Sequence, residues 1–77
     1  MGGLDTVKLS KLRKLLKNHG FIEKRQTGSH LIINRPSIYR PIVIAIHGKD
    51  VFLYCSKEIM KELNMSRDEF LKELKKY

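Results

Sequence analysis

Apolar residues recur along this chain with two periods, and the change from one to the other marks out its elements. Over residues 8–19, Leu9, Leu12, Leu15 and Leu16 fall at helical spacing, with Leu12, Leu15 and Leu16 as the i, i+3, i+4 stripe of a core-facing helix. Ser10 is placed to cap its start, and Gly20 stands where a left-handed residue would end it. The spacing then shortens. Phe21–Gln26 is expected to be a first strand, Thr27-Gly28 a tight turn, and Ser29–Arg35 a second strand around Leu31, Ile32 and Ile33. Pro36 and Pro41 bound a loop, since each proline denies a ladder one donor. Ile42–Ile46 is the third strand, and His47-Gly48-Lys49-Asp50 turns the chain out of the sheet. Residues 51–55 fit either a fourth short strand or an apolar lead-in to a helix.

Helical spacing returns in the last third. Ser56 can cap a helix through Ile59, Met60 and Leu63 that stops at Asn64. Ser66-Arg67-Asp68-Glu69 has the form of a capping box and opens a last helix carrying Phe70, Leu71 and Leu74. The order α-β-β-β-α-α makes this an α+β chain: a three-stranded antiparallel sheet with helices on one face. Residues 1–7 read as a flexible start and 8–77 as one domain. At 77 residues there is room for a modest core only, worth about 3–5 kcal/mol net.

Strand alternation has a consequence for two histidines. With Ile42, Ile44 and Ile46 facing the helices, Val43, Ala45 and His47 face outward. With Leu31 and Ile33 in the core, His30, Ile32 and Asn34 face outward too. A register pairing Ile33 with Ile44 sets Leu31 across from Ile46 and His30 across from His47, with 36–41 as the connecting loop. Both imidazoles would then share an open face ringed by Lys24, Arg25, Arg35, Arg40 and Lys49.

Charge adds to this picture. Sixteen Lys and Arg against eight Asp and Glu give a formal charge of +8, which favours a polyanionic partner. Nucleic acid, an acidic membrane surface and an acidic protein all satisfy the charge alone. Between Lys8 and Asn18 no acidic residue interrupts the basic series, so that helix surface fits a solvated face and a binding face equally. No apolar run approaches the ~18 residues of a membrane span, and no signal-peptide core precedes the first helix, so a cytoplasmic location is expected. Cys55 is the one cysteine; it suits a reducing compartment and is expected to be a small, half-buried apolar residue.

A histidine among phosphate-binding cations suits RNA cleavage without a metal. The attacking 2′-hydroxyl must lose a proton, the leaving 5′-oxygen must gain one, and imidazole serves both purposes near neutral pH. Cations would neutralise charge growing on the phosphate, and Gly28 would let the backbone approach it closely. A lone strand histidine is, however, ordinarily structural or merely exposed. His19, His30, His47 and Cys55 lack metal-ligand spacing, so no metal or cofactor is expected. His19, at a helix C-terminus, is expected to be structural. No phosphate-cradling glycine loop, Ser/His/Asp set or carboxylate pair is present.

The string Lys11-Leu12-Arg13-Lys14-Leu15-Leu16-Lys17-Asn18-His19-Gly20-Phe21, followed by Arg25-Gln26-Thr27-Gly28-Ser29-His30, resembles the HicA (YcfA-like) mRNA interferase toxins. The third strand running into His47-Gly48-Lys49-Asp50 is similar to that family's second recurrent segment, and the resemblance covers roughly residues 8–74. It implies a fold like that of double-stranded-RNA-binding domains. It also implies a toxin of a type II toxin–antitoxin system that cleaves mRNA independently of the ribosome, with His30 catalytic. A HicB-type antitoxin protein would cover the site. Two places depart from the family pattern: Leu31 and Ile32 directly follow Gly-Ser-His, and Val51–Ser56 is more apolar than the Gly-Thr turn often found there.

The expected function is therefore metal-independent endoribonuclease action on single-stranded RNA. His30 would be the catalytic residue and His47 a second proton carrier, with Lys24, Arg25, Gly28, Ser29, Arg35, Arg40 and Lys49 in contact with RNA. The alternatives are a non-catalytic RNA-binding module using the same basic face and a protein-binding component docking an acidic partner.

Overall fold

The computed structural model describes residues 5–77. In chain order the elements are β1 (Thr6–Lys8), α1 (Leu9–Asn18), β2 (Ile22–Thr27), β3 (His30–Asn34), β4 (Ile42–His47) and β5 (Asp50–Phe52), then a 3₁₀ turn (Leu53–Ser56), α2 (Lys57–Leu63) and α3 (Arg67–Leu74). The strands form one antiparallel sheet in the order β1-β5-β4-β3-β2. Helices cover one face, as in the double-stranded-RNA-binding-domain-like α+β class, but the sheet has five strands rather than the expected three. β2, β3 and β4 are the three that alternation announces. β1 and β5 span three residues each, too short to display a period of two, and β1 carries a single core-side residue, Val7. Of the segment 1–7, residues 1–4 lie outside the described residues.

Leu12, Leu15 and Leu16 bring α1 onto the sheet, where they join Leu31, Ile33, Ile42, Ile44 and Val51. Ile59 of α2 and Phe70 and Leu74 of α3 close the same core. The last turn of α1 is finished by a Schellman arrangement: Gly20, at φ +84°, donates its N–H to Lys17, while the Phe21 N–H reaches back to Leu16 at 2.9 Å. Ser10 does not cap α1. It lies inside the first turn, the preceding residue Lys8 offers no side-chain cap, and the Leu9 N–H is satisfied by the Lys49 carbonyl at 3.0 Å. Ser56 is likewise no side-chain cap, because its hydroxyl is buried beneath α2 without a hydrogen-bond partner. The Ser66–Glu69 capping box is complete in both directions, with N···O distances of 3.2 and 2.9 Å. Asn64 ends α2 at φ +56°.

The β3–β4 register differs from expectation by two residues. His30 stands across from Ala45, Leu31 from Ile44, Ile32 from Val43 and Ile33 from Ile42. A shift of two leaves every side chain on its expected face. The loop explains the shift: Ile38 N–H donates to the Arg35 carbonyl at 3.0 Å, and Arg35 N–H to Asn34 Oδ1 at 2.8 Å. These bonds form a turn at Arg35–Ile38 and draw Arg35 out of the ladder, while Pro41 supplies no donor to it.

Candidate functional site: the open face of the sheet

Burial of Leu31, Ile33, Ile42, Ile44 and Val51 on the helical side turns their neighbours to the other side. From β3 these are His30, Ile32 and Asn34, from β4 Val43, Ala45 and His47, and from β5 Asp50 and Phe52. On β2, Arg25 stands opposite Ile32 and Thr27 opposite His30. Among the described residues no helix covers this face, and Ile22 and Val43 on it are each more than half exposed.

Both histidines lie at one end of the sheet because of two similar hairpin turns. Thr27 pairs with His30 around Gly28-Ser29, and His47 pairs with Asp50 around Gly48-Lys49. Gly28 has φ +58° and Gly48 φ +67°, whereas neither Ser29 nor Lys49 has a positive φ. This combination is that of a type II′ turn, whose first central position strongly favours glycine and whose twist matches the strands it joins. The first turn opens β3 at His30 and the second closes β4 at His47. A 2.6 Å bond from the Ile46 N–H to the Ser29 carbonyl ties the first turn to β4. The two imidazoles are exposed, and they are diagonal rather than direct neighbours. Ordinary sheet geometry separates such backbone positions by about 7–8 Å, so the direct His30–His47 pairing expected from sequence is replaced by a diagonal one, with Ala45 directly across from His30.

The cations expected around the histidines divide into two groups. Arg25 shares the open face, Lys24 occupies the β-bulge between Glu23 and Arg25, and Lys49 sits in the turn after His47. Lys49 also lines a shallow cleft with Lys8, Leu9, Ser10, Arg13 and Gly48. Arg35 and Arg40 do not belong with them. Arg35 is five residues from His30, roughly 16 Å along an extended strand. Its guanidinium packs 5.4 Å from the centre of the Phe21 ring, and Nη1 lies 4.0 Å from Glu62. Arg40 belongs to the loop at that same far end, beside Ser37, Tyr39, Glu58 and Lys61. Lys11, Lys14 and Lys17 project from α1, on the opposite side of the sheet from the histidines. Arg13 is engaged by Glu23 at 3.1 Å and Gln26 at 3.1 Å.

His19 lies away from the open face. Its Nε2 is 2.5 Å from Glu73 Oε2, which also accepts from the Tyr77 hydroxyl at 3.1 Å. This contact joins the C-terminus of α1 to α3. Cys55 is a free, half-buried thiol in the 3₁₀ turn. Among the described residues, no group of three or more His, Cys, Asp or Glu side chains is arranged to hold a metal ion, and no helix is long and apolar enough to cross a membrane.

Three residues of the open face escaped the sequence reading. Lys8 of β1 projects there and pairs with Asp50 at 3.5 Å. Phe52 meets the His47 ring edge-on with centroids 5.2 Å apart, and Tyr54 stacks on Phe52 at 5.6 Å with 12° between ring planes. The missed signal is alternation: Val51 and Leu53 are buried while Phe52 and Tyr54 turn outward.

Residues 9–65 match the family model described as the HicA toxin of bacterial toxin–antitoxin. No curated protein matches the chain, and no solved structure does.

Proposed function

The chain belongs to the HicA toxin family, and from that premise we propose that it is an mRNA interferase whose catalytic residue is His30. Membership makes it a toxin of a toxin–antitoxin system with an antitoxin as partner. The proposal adds single-stranded RNA as substrate, metal-independent acid–base chemistry, and a HicB-type antitoxin that covers the open sheet face. The observation that carries it is the presence of two exposed imidazoles on one uncovered face, one at the head of β3 and one at the foot of β4, beside Arg25 and Lys49.

In this reading His30 accepts the proton of a ribose 2′-hydroxyl as its oxygen attacks the adjacent phosphorus. The new bond is 2′-O–P, and the bond that breaks is P–O5′. The departing O5′ takes a proton from His47, leaving a 2′,3′-cyclic phosphate and a 5′-hydroxyl. Two imidazoles carried on diagonal positions, about 7–8 Å apart at the backbone, can reach opposite sides of one phosphate. General acid–base help of this kind contributes about 100- to 10,000-fold. Arg25, Lys24 and Lys49 offset charge that builds on the phosphoryl oxygens, and the Gly28-Ser29 turn presents backbone at close range.

The test is incubation of the purified chain with end-labelled single-stranded RNA in EDTA, beside the same sequence made as DNA. RNA cut to cyclic-phosphate ends while DNA stays whole supports the reading. RNA that is retarded on a gel and never cut removes the enzyme and leaves a binding module.

A further inference from the structure

Across the sheet at the level of His30 runs a row of outward residues: Thr27, His30 and Ala45. Ile46 pairs with Val51 and His47 with Asp50; one further step in that register brings Phe52 across from Ala45. Phe52 in turn pairs with Thr6. Ala45 is the smallest side chain in the row that bears a Cβ, and it lies between an imidazole on one side and a phenyl ring on the other. The result is a shallow seat whose two walls are His30 and Phe52. They are two strands apart, or about 9–10 Å at ordinary strand spacing.

The aromatic wall continues past Phe52. His47 touches its edge, and Tyr54, itself 53% exposed, stacks nearly parallel to it. With Phe52 half-buried and Tyr54 exposed, the paired rings leave a flat apolar surface of the sheet open to a partner. Burial alone does not account for Tyr54, because Leu53 next to it is in the core and Tyr54 is turned away. The occupant that fits is an unpaired nucleobase. Every base has a π-face to stack on such rings, and base-on-aromatic recognition is how open sheets commonly hold single-stranded RNA. The +8 charge suits a polyanion and an acidic peptide alike, and Lys8 is already paired with Asp50. What favours RNA is the flat face of stacked rings together with Arg25 on the same face and Lys49 in the turn after His47. Both cations are placed to receive the phosphates that flank a stacked base.

We propose that Phe52 and Tyr54, edged by His47, form a stacking platform for an unpaired base of single-stranded RNA, positioned so that a neighbouring phosphate lies at His30. This rests on the reading of the open face as an RNA site and adds what holds the strand there. Phosphate contacts alone tolerate any nucleic acid; the platform selects strands whose bases are free, since duplex bases are already stacked on one another.

The experiment measures affinity for a short labelled RNA in a His30→Ala background, so that the RNA survives. Tyr54→Ala and Phe52→Leu are compared with the parent, and the RNA is scanned with single abasic sites. Loss of one stacked base corresponds to about 5- to 150-fold in affinity. The expected result is that Tyr54→Ala and Phe52→Leu each weaken binding at least 5-fold, and that one abasic position weakens the parent by a similar factor. That same abasic site should cost little in Tyr54→Ala, which shows that ring and base act as a pair. Melting curves identify any variant that has lost its fold; Tyr54→Ala, at a half-exposed site, keeps the comparison interpretable if Phe52→Leu unfolds. Variants that stay folded and bind within twofold of the parent, with no sensitive abasic position, overturn the platform and leave the rings to a protein partner. If the protein with His30 intact binds RNA with these sensitivities yet never cuts it, the cleavage reading fails and the platform stands. If the parent binds no RNA, both fall.

Discussion

His30 and His47 occupy adjacent strands on the same face, and Ala45, not His47, stands directly across from His30. The two histidines are thus diagonal neighbours on the open face rather than a directly facing pair. That arrangement motivates the second proton role. His47→Ala is expected to lower the single-turnover cleavage rate about 100-fold, the low end of general acid–base effects, with RNA affinity changed far less. A rate within about threefold of wild type would remove His47 from the chemistry and leave it as the edge of the aromatic row.

Gly28 sets where β3 begins. At φ +58° it has open space around its missing Cβ, so a substitution meets no neighbour and the cost is conformational alone. Gly28→Ala is expected to destabilise the fold by about 1–2 kcal/mol. For a domain of this size that is roughly 4–16 °C in Tm. Cleavage should fall by more than the unfolded fraction explains, since His30 lies directly after the turn. Thermal melts and rate measurements on the same preparation separate the two effects.

The capping box gives α3 a pH dependence. The Ser66 backbone N–H, and then its hydroxyl, holds the Glu69 carboxyl below its ordinary value of 4.5. A lowered folded-state pKa contributes stability that is present above 4.5 and is lost as pH falls through the lower folded value. Glu69→Gln keeps an acceptor for the Ser66 N–H but cannot titrate. The difference in Tm between wild type and Glu69→Gln is therefore expected to be constant above pH 5 and to move against wild type as pH falls below about 4.5. A difference independent of pH would mean that the carboxylate does not matter there.

Glu73 of α3 ties the end of α1 and the C-terminal residue together by meeting His19 and accepting from Tyr77. Glu73→Ala leaves both partners unmatched in a partly buried site and is expected to cost about 1–3 kcal/mol, read by denaturant melts. Burial, and then the bond to Glu73, push the Tyr77 phenol above its ordinary value of 10.0. Its share of the tie is present below pH 10 and is lost as pH rises through the raised value. Cleavage per folded molecule should be untouched, because this cluster lies away from the open face.

The sequence makes faces far more legible than registers. Leu31, Ile33, Ile42 and Ile44 alternate cleanly, so the outward placement of His30 and His47 follows from period two. Any even shift preserves that alternation, and only the Arg35–Ile38 turn, whose hydrogen bonds the pattern does not encode, selects the observed pairing. Arg35 and Arg40 looked like site cations because charge gives no position along a strand; Phe21 and Glu62 hold Arg35 at the far end. Phe52 and Tyr54 stand in the apolar run 51–55, which fits a short strand and a helix lead-in equally, so the pattern assigns neither ring a face. The closing capping box was readable outright, because Ser66 and Glu69 satisfy each other locally and need no tertiary information.

The proposed function depends most on His30 performing chemistry on RNA. The most direct measurement is single-turnover cleavage of single-stranded RNA in EDTA by wild type and by His30→Ala, with RNA affinity and Tm measured on both. With His30 catalytic, cleavage is expected to be at least 100-fold slower in His30→Ala, with affinity within a few-fold and Tm nearly unchanged. Equal cleavage by the two proteins would contradict it and move the active centre away from β3.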